Sequence, residues 1–368
     1  MFAQGHFDSY QNFALIVTEN IMTWGKQLLG VFLFWIPRSF WPNKPFGSGH
    51  YIAGELGLDF FNISANYSND FGAIVLSVLH NSPLAKIIHF SSSQKGRFSK
   101  PNLDFLLPLT DIKWVKKTLL WIYKFKYSAH FKELCEKSDR VVLLSDTFRD
   151  EFLFFTGKNW FEHKITAISN PCSFSLASDY KRQKKEKILL FVGRLSFGQK
   201  RVDLLIEIWN KLYRNFPDWR LVVVGDGPDL GKAKEIASNL ETQRIYFEGR
   251  QNSEPYYDKA SIFCMTSSYE GFPMVIAEAQ TYGAVPVAFN SFASIADVIE
   301  NDKTGFLIQP FDLDDYVNTL SALMSDEELL QTISKNCVES AKQFSLEEIG
   351  DQWLELFNSL LKENGENN

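Results

Sequence analysis

The chain has 368 residues, enough for two or three domains, and its 45% apolar and 22% charged residues are typical of a globular protein. No apolar run reaches the roughly 18 residues of a transmembrane helix, since the longest run near the start, LLGVFLFWIP, ends at Pro37. The first residues also lack the basic and then apolar pattern of a secretory signal peptide.

The net charge of −6 is unevenly distributed along the chain. Residues 76–187 carry 20 Lys and Arg against 11 Asp and Glu, a charge of +9, whereas residues 188–368 carry 15 against 28, a charge of −13. This difference predicts two domains with different partners, and an anionic membrane surface would attract the basic one. The cysteines lie far apart without ligand spacing, so we interpret them as reduced core residues: Cys135, Cys172, Cys264 and Cys337.

The first half of the chain predicts few regular elements. Residues 1 to about 70 are rich in Trp, Pro, Phe and Gly and show little periodicity. Beyond them, FGAIVLSVLHNSP predicts a strand that runs into a loop at His80, and LLPLTDIKWVKKTLLWIYKFKYSAHFKELCEKS predicts a helix. DRVVLLS and KITAISNP predict two more strands, with a helix in DTFRDEFLFFTG between them. Three strands are few for an α/β domain, and the charged run KRQKKEK at 181–187 predicts a hinge or a solvated linker.

From residue 186 onward, short β-branched runs alternate regularly with helical periodicity. Strands are predicted in KILLFVGRL, WRLVVVGDGP, RIYFEGR, SIFCMTSS, AVPVAFN and TGFLIQP, with helices between them. The stretch LDDYVNTLSALMSDEELLQTISKNCVESAKQ is predicted to be helical, and a capping box of Ser345 and Glu348 opens a last helix. This alternation is typical of a parallel sheet covered on both faces, which binds ligands at the carboxyl ends of its strands.

Two cations follow the first of these strands. Arg194 closes FVGRL, and Lys200 stands six residues later at a predicted helix start. Fixed cations beside free backbone N–H groups form a diphosphate site, although two solvent-facing cations would produce the same pattern.

Two carboxylates follow in SSYEGFPMVIAEAQTYGAVPV. Pro273 suits the first turn of a helix, which places Glu270 in the preceding loop and Glu278 a turn and a half into the helix. Carboxylates accept hydrogen bonds from paired hydroxyl groups, so we predict Glu270 at a sugar and Glu278 at a ribose. Ordinary surface charge is the alternative.

Residues of about 72 to 362 resemble the retaining nucleotide-sugar glycosyltransferases of family 4. The resemblance is carried by FVGRLSFGQKRVDLLIEIW, LVVVGDGP, FEGR, YYDKASIFCMTSSYEGFPMVIAEAQTYGAVPVAFN and DKTGFLIQP. It implies an α/β chain with the GT-B fold, two Rossmann-like domains of which the N-terminal one is incomplete. The predicted divisions are an atypical N-terminal segment, an acceptor-side domain, a donor-binding domain, a C-terminal helix and a disordered tail: 1–71, 72–185, 186–344, 345–362 and 363–368.

The resemblance also implies roles for individual residues. Arg194 and Lys200 would hold the donor diphosphate and stabilise the leaving phosphate, Glu270 would contact the donor sugar, and Glu278 would contact the ribose. His80 falls where the family often places a histidine near the reacting sugar, although a structural histidine is an equal alternative. Further residues in the matching motifs are expected to bind the donor: Gly193, Gly249, Arg250, Gly271, Phe272 and Pro273.

The implied chemistry needs no metal or cofactor beyond the donor itself. Cleavage of a sugar–diphosphate bond develops negative charge on the phosphate, which preorganised cations stabilise in the transition state. No Asp or Glu is recognisable as a covalent nucleophile, consistent with the front-face displacement proposed for the family. Asp312 and Asp314 form the one D-x-D, which is predicted to be helix-start charge and not a metal site.

The predicted function is transfer of a sugar from a nucleotide-sugar to a lipid-linked oligosaccharide or polysaccharide of a capsule or O-antigen. The alternative is a non-catalytic nucleotide-sugar-binding remnant of a gene fusion or deletion. That alternative arises because residues 1 to about 70 resemble a stretch of O-antigen (oligosaccharide repeat-unit) polymerases; a divergent acceptor domain is the other interpretation. A phosphorylase or a sugar-nucleotide epimerase on the same architecture is a weaker candidate.

The segment KWVKKTLLWIYKFK, 113–126, interleaves lysines with aromatic and aliphatic residues. This composition is typical of an interfacial membrane helix and also of a core helix with a basic outer face. No nucleic-acid recognition motif accompanies it. The predicted partners are therefore the donor, the lipid-linked acceptor and an anionic membrane, and the predicted location is the cytoplasm or the inner face of the plasma membrane.

Overall fold

The computed structural model describes residues 16–17, 74–79, 83–84, 113–157, 161–172, 174 and 184–365. These residues divide into two compact units. The first unit contains 16–17, 74–79, 83–84, 120–157, 161–169 and 351–365, and the second contains 113–119, 170–172, 174 and 184–350. The predictions for His80 and, apart from 16–17, for the polymerase-like segment lie outside the described residues.

The first unit contains a four-stranded sheet in the order β1-β2-β3-β4. Its strands are β1 (Ile16–Val17), β2 (Ile74–Leu79), β3 (Arg140–Leu143) and β4 (Ile165–Ala167). Strands β2, β3 and β4 run parallel, and β1 pairs antiparallel with β2. The three strands predicted in this region are therefore present. Helix α1 (Lys113–Lys137) precedes β3, and helix α2 (Arg149–Thr156) follows it.

Aromatic side chains form much of the core of this unit. The Phe131 ring lies edge-on to Phe152, with centroids 5.3 Å apart, and stacks on Phe155 at 4.6 Å. Strand β3 is almost wholly buried, as the apolar run of DRVVLLS predicts. In the last helix, α9 (Leu346–Gly365), Leu360 packs against Leu76 of β2.

The second unit contains a six-stranded, wholly parallel sheet in the order β10-β9-β8-β5-β6-β7. Its strands are β5 (Glu186–Val192), β6 (Arg220–Val224), β7 (Ile245–Gly249), β8 (Ala260–Met265), β9 (Val285–Phe289) and β10 (Phe306–Ile308). All six predicted strands are present. The chain builds outward from β5 to β7 and then returns to β8 on the other side of β5. The point between β5 and β8, where the order reverses, is where doubly wound sheets bind ligands.

Helices cover the central strands of this sheet because those strands are almost wholly apolar. Every residue of β8 and β9 is buried. The connecting helices are α3 (Val202–Leu212), α4 (Leu230–Asn239), α5 (Glu254–Lys259), α6 (Met274–Thr281), α7 (Leu313–Ser325) and α8 (Glu327–Ala341). Trp209 of α3 is fully buried in the core, and its indole N–H donates to the carbonyl of Gln243 at 2.9 Å.

The helical stretch predicted after β10 is two helices and not one. The backbone is extended at Asp326, whose carboxylate accepts the N–H of Leu329 at 2.9 Å and so starts α8. Asp312 caps α7 in the same way, with Asp315 N at 3.0 Å, and thus serves as the helix-start charge that its position predicted.

Two element boundaries and one helix cap differ from the sequence-based expectation. Strand β5 begins at Glu186, so the last residues of the run at 181–187 are sheet and not hinge. The capping box is half formed, because Ser345 Oγ accepts Glu348 N while the Ser345 N–H donates to Lys342 O. Helix α9 continues to Gly365, past the predicted end at 362, because its helical hydrogen bonding persists. Across the described ranges, no helix has the length and apolar character needed to cross a membrane.

Candidate functional site

The loop between β5 and α3 is held close against the neighbouring loop after β6. The N–H of Gly193 donates to Val224 O at 3.0 Å, and the N–H of Leu195 donates to Asp226 O at 3.0 Å. Only glycine fits opposite them: a Cβ on Gly225 would lie 1.8 Å from Gly193 O, and one on Gly227 would lie 2.3 Å from Leu195 O. The two glycines of VGDGP therefore let the strand ends approach backbone to backbone.

Arg194 and Lys200 leave this loop in different environments. Arg194 is exposed directly after β5, and its side chain makes no ion pair or hydrogen bond with the described residues. Lys200 is largely buried: its side chain is 14% exposed, and its aliphatic stem lies over Gly193. The Nζ of Lys200 pairs with Oε1 of Glu270 at 2.7 Å. The structure thus brings together one predicted cation and one predicted carboxylate. The second predicted cation, Arg194, lies earlier in the same loop as Lys200 and is exposed to solvent.

A second neighbour holds the other oxygen of Glu270. The amide Nε2 of Gln199 lies 3.3 Å from Oε2 of Glu270 and 3.3 Å from the carbonyl of Tyr269. The backbone reinforces the contact, since Ser268 N donates to Gln199 O at 2.7 Å. Thr266 at the end of β8 donates its hydroxyl to the carbonyl of Lys200 at 3.0 Å. The loops after β5 and β8, on either side of the switch point, are therefore fixed to each other.

Glu278 stands on α6, whose first helical residue is Met274. Its Oε2 accepts the hydroxyl of Tyr257 at 2.9 Å. Burial raises the pKa of the Glu278 carboxyl, whereas the Tyr257 O–H and the positive charge of Lys200 lower it. Lys200 therefore acts on both carboxylates, one by direct contact and one through its field. Burial raises the pKa of Tyr257 well above its ordinary range, so its phenol keeps the proton that it donates.

The remaining predicted donor-binding residues lie at the same edge of the sheet. Gly249 ends β7 in a left-handed conformation, φ +68°, and accepts Gly225 N at 2.7 Å, while the next residue, Arg250, is exposed. The carbonyl of Gly271 accepts Ser294 Oγ at 2.7 Å, and Phe272 is buried edge-on to a neighbouring ring.

Pro273 precedes the first helical residue of α6, one position before its predicted place in the first turn. His80, the remaining predicted site residue, lies outside the described ranges. The four cysteines are free and buried, as predicted.

Sequence reasoning missed Gln199, Tyr257 and the glycine pair after β6. The Gly-x-Gly of VGDGP directly after a strand is a signal of close backbone approach that could have identified Gly225 and Gly227. The other two have no such signal, because Tyr257 lies 21 positions from Glu278 and Gln199 lies 71 positions from Glu270.

This geometry joins the loop that carries Arg194 and Lys200 to two carboxylates at the switch point of a doubly wound sheet. Residues 175–340 match the family described as glycosyl transferases group 1. An uncharacterized glycosyltransferase of Haemophilus influenzae is 31% identical over 193 residues, which cover 52% of this chain and 54% of that protein.

A second relative is the UDP-Gal:alpha-D-GlcNAc-diphosphoundecaprenol alpha-1,3-galactosyltransferase of Escherichia coli. It is 29% identical over 252 residues, which cover 63% of this chain and 61% of that protein. The chain thus spans just over half the length of these two curated relatives. Its homologues are bacterial glycosyltransferases.

Among solved structures, a mutant of TarM from S. aureus in complex with Fondaparinux, alpha-GlcNAc-glycerol and UDP superposes with a TM-score of 0.56. The match has 24% identity and covers 63% of this chain and 46% of that one. With its parallel α/β sheets, the chain has the GT-B fold. The predicted fold class is confirmed.

Proposed function

We propose that this protein is a retaining glycosyltransferase of family 4 that transfers a sugar from a nucleotide-sugar to a lipid-linked oligosaccharide or polysaccharide. The observation that carries the proposal is the pair of Lys200 and Glu270 at the switch point, on the loop that also carries the exposed Arg194. Cations bind a diphosphate, and hydrogen-bond acceptors bind a sugar. Here the cation of Lys200 and the acceptor oxygen of Glu270 lie 2.7 Å apart.

In the proposed reaction, each charged group has one task. Arg194 and Lys200 bind the diphosphate and stabilise the charge that develops on the leaving phosphate. Glu270 accepts hydrogen bonds from the donor sugar, and Glu278 accepts them from the ribose. Since Lys200 and Glu270 are paired with each other, a bound donor must replace each as the other's partner: phosphate oxygens for Lys200 and sugar hydroxyls for Glu270.

The donor that we propose is a UDP-sugar, and the acceptor is a polyprenyl-diphosphate-linked glycan. The support is similarity to two proteins: the TarM complex contains UDP, and the Escherichia coli relative is named for UDP-Gal and a diphosphoundecaprenol acceptor. We expect no metal requirement, since Asp312 caps α7 and Asp314 pairs with Lys211 at 2.6 Å. Binding of UDP should therefore be unchanged by EDTA.

Calorimetry with UDP tests the donor site. Arg194→Ala and Glu278→Ala should weaken binding, each by roughly tenfold or more, because each removes a charged partner of the ligand. The matched control is Arg220→Ala, which removes an arginine from the opposite, amino-terminal end of the sheet, where it pairs with Glu186. Absence of UDP, GDP and ADP binding to the unaltered protein would refute the donor site altogether.

Turnover separates an enzyme from a binding remnant. Incubation with UDP-sugars and a polyprenyl-diphosphate sugar should release UDP, and Glu270→Ala should abolish that release. Glu300→Ala, at an exposed carboxylate paired with Lys303, is the control. Binding without turnover would favour the non-catalytic remnant. In an active protein, His80→Ala should lower turnover without changing UDP affinity if His80 acts beside the reacting sugar.

We also propose that helix α1 contacts an anionic membrane. Trp121 and Phe125 are 67% and 82% exposed, and Lys124 and Lys126 stand beside them in sequence. Exposed aromatic rings between lysines suit the interface of an anionic bilayer. Sedimentation with phosphatidylglycerol vesicles should fall in a Trp121→Ala, Phe125→Ala variant and be unaffected by Tyr246→Ala, which removes a 48%-exposed ring from β7. Equal sedimentation with phosphatidylcholine would contradict an electrostatic role.

A further inference from the structure

Tyr257 is a buried tyrosine whose hydroxyl contacts Glu278, a residue that is proposed to bind the nucleotide-sugar. It stands on the short helix α5, its side chain has no solvent exposure, and its hydroxyl donates to Oε2 of Glu278 at 2.9 Å. The two residues are 21 positions apart in sequence and meet only through the fold. A phenol aimed from the core at the carboxylate that is proposed to bind the ribose calls for an explanation beyond packing.

The surroundings of Tyr257 fix both its backbone and its ring. Lys185 Nζ donates to the carbonyls of Tyr257 and Asp258 at 2.9 and 2.8 Å, which anchors the end of α5. The ring stacks with Tyr282 at 6.4 Å and 9°, and it contacts Phe263 at 5.8 Å. The hydroxyl therefore cannot turn to water, and its direction is set by the core.

The contact between Tyr257 and Glu278 leaves the second carboxylate oxygen of Glu278, Oε1, for a ligand. An ionised carboxylate has two acceptor oxygens, and Tyr257 occupies Oε2 of Glu278. Without that donor, a largely buried carboxylate would be free to rotate and would take up a proton more readily, since burial already raises its pKa and the phenol O–H lowers it. The phenol thus helps to orient Glu278 and, together with the positive charge of Lys200, opposes the rise in its pKa that burial causes.

We propose that Tyr257 is a positioning residue that holds Glu278 ionised and oriented to accept the hydroxyl groups of the donor ribose. The inference rests on the proposed function, in which Glu278 is a ribose ligand. A merely structural role would lie in the ring, which Phe retains. The proposed role lies in the hydroxyl, which Phe lacks.

UDP binding to the full chain, measured by calorimetry between pH 5 and pH 8, tests the proposal. Tyr257→Phe should weaken UDP binding about tenfold at neutral pH, the usual effect of losing a hydrogen bond to a charged group. The loss of affinity toward acid should also begin at higher pH than in the unaltered protein. Tyr316→Phe is the matched control, because Tyr316 is as buried but donates to the carbonyl of Val287. It should leave both the affinity and its pH dependence unchanged.

A double-mutant cycle separates failure of this inference from failure of the proposed function. Glu278→Gln should weaken UDP binding, and adding Tyr257→Phe to it should cause little further loss, since both changes disable one contact. If Glu278→Gln binds UDP as tightly as the unaltered protein, the ribose role of Glu278 is wrong. If Glu278→Gln weakens binding while Tyr257→Phe does not, or if the two losses multiply, the positioning role of Tyr257 is wrong and the proposed function stands. Should Tyr257→Phe fail to fold, Glu278→Asp breaks the same contact, and an unshifted pH profile there would overturn the inference.

Discussion

Replacing Gly225 with alanine tests the close backbone contact that shapes the candidate diphosphate loop. A Cβ at this position would lie 1.8 Å from Gly193 O, and the residue has φ +139°, a conformation that other residues rarely adopt. Because Cβ atoms essentially never approach other atoms within 3.0 Å, the ends of β5 and β6 would have to separate by more than an ångström. Gly193 directly precedes Arg194, so the displacement would reach the proposed phosphate-binding cation.

The expected loss of stability has two parts. A residue other than glycine in such a conformation costs about 1–3 kcal/mol, and forced overpacking costs a similar amount, about 1–3 kcal/mol. Separation of the strands also strains the hydrogen bonds from Gly193 N to Val224 O and from Gly225 N to Gly249 O. We therefore expect Gly225→Ala to lower the free energy of unfolding by about 2–6 kcal/mol, a large fraction of the roughly 5–15 kcal/mol of a typical domain.

Urea denaturation with a matched control measures this effect. Gly350 lies in the interior of α9, where an added Cβ would meet no atom within 4 Å. Gly350→Ala should therefore stabilise the protein by about 0.5–1 kcal/mol, as glycine is a poor helix former. The same Gly→Ala change is therefore expected to lower the free energy of unfolding at position 225 and to raise it at position 350. UDP affinity should fall in Gly225→Ala and be unchanged in Gly350→Ala.

An unfolding free energy of Gly225→Ala within about 0.5 kcal/mol of the unaltered protein, with unchanged UDP affinity, would refute the reasoning. It would mean that the strand ends do not approach as closely as described, and that the position of the loop at Arg194 is wrong.

Three other predictions follow from single side chains, and one from the ion pair. Glu278→Gln should raise the urea midpoint at pH 8. Burial raises the pKa of Glu278, so the unaltered protein loses stability as the pH rises through that pKa, whereas glutamine carries no charge. The difference in midpoint should vanish toward pH 4.5, the ordinary pKa of glutamate. Glu270→Gln should bind free UDP roughly three- to tenfold more tightly, by calorimetry, since it frees Lys200 from its partner, while turnover is lost. Asp312→Ala should cost about 1 kcal/mol in urea denaturation through loss of the α7 cap. Burial raises the thiol pKa of Cys264 to about 12, so it should react with thiol reagents only on unfolding.

The strands and helices of the second unit could be predicted because each leaves a local signature. Strands β8 and β9 are buried on both faces and appear as continuous apolar runs, and Arg194 and Glu270 stand where such runs end. Helices α7 and α8 could not be separated, because helical periodicity continues through Asp326, and the break appears in its extended backbone and its hydrogen bond to Leu329.

The contacts within the site could not be predicted from sequence alone. The strand order decides which loops become neighbours, and no local pattern encodes that β5 lies between β6 and β8. Gln199 and Tyr257 have ordinary sequence environments, yet each contacts a carboxylate that was predicted as a ligand. The residues predicted as ligands follow strand ends that the sequence reveals, whereas the residues that contact them are brought there by tertiary packing.

In the candidate site, the backbone holds the loop in place and the side chains are proposed to bind the donor. Mutations of the two kinds should therefore have different effects. The loop at Gly193 and Leu195 is held by main-chain hydrogen bonds to Val224 and Asp226 and by the close approach of Gly225 and Gly227, none of which involves the side chains proposed to bind the donor. Changes at Arg194, Lys200 or Glu270 should therefore alter binding and turnover while the loop keeps its path. Changes at the glycines should alter stability and binding together. A side-chain variant that unfolds the protein, or a glycine variant that affects binding alone, would show that the scaffold and the binding groups are not separate.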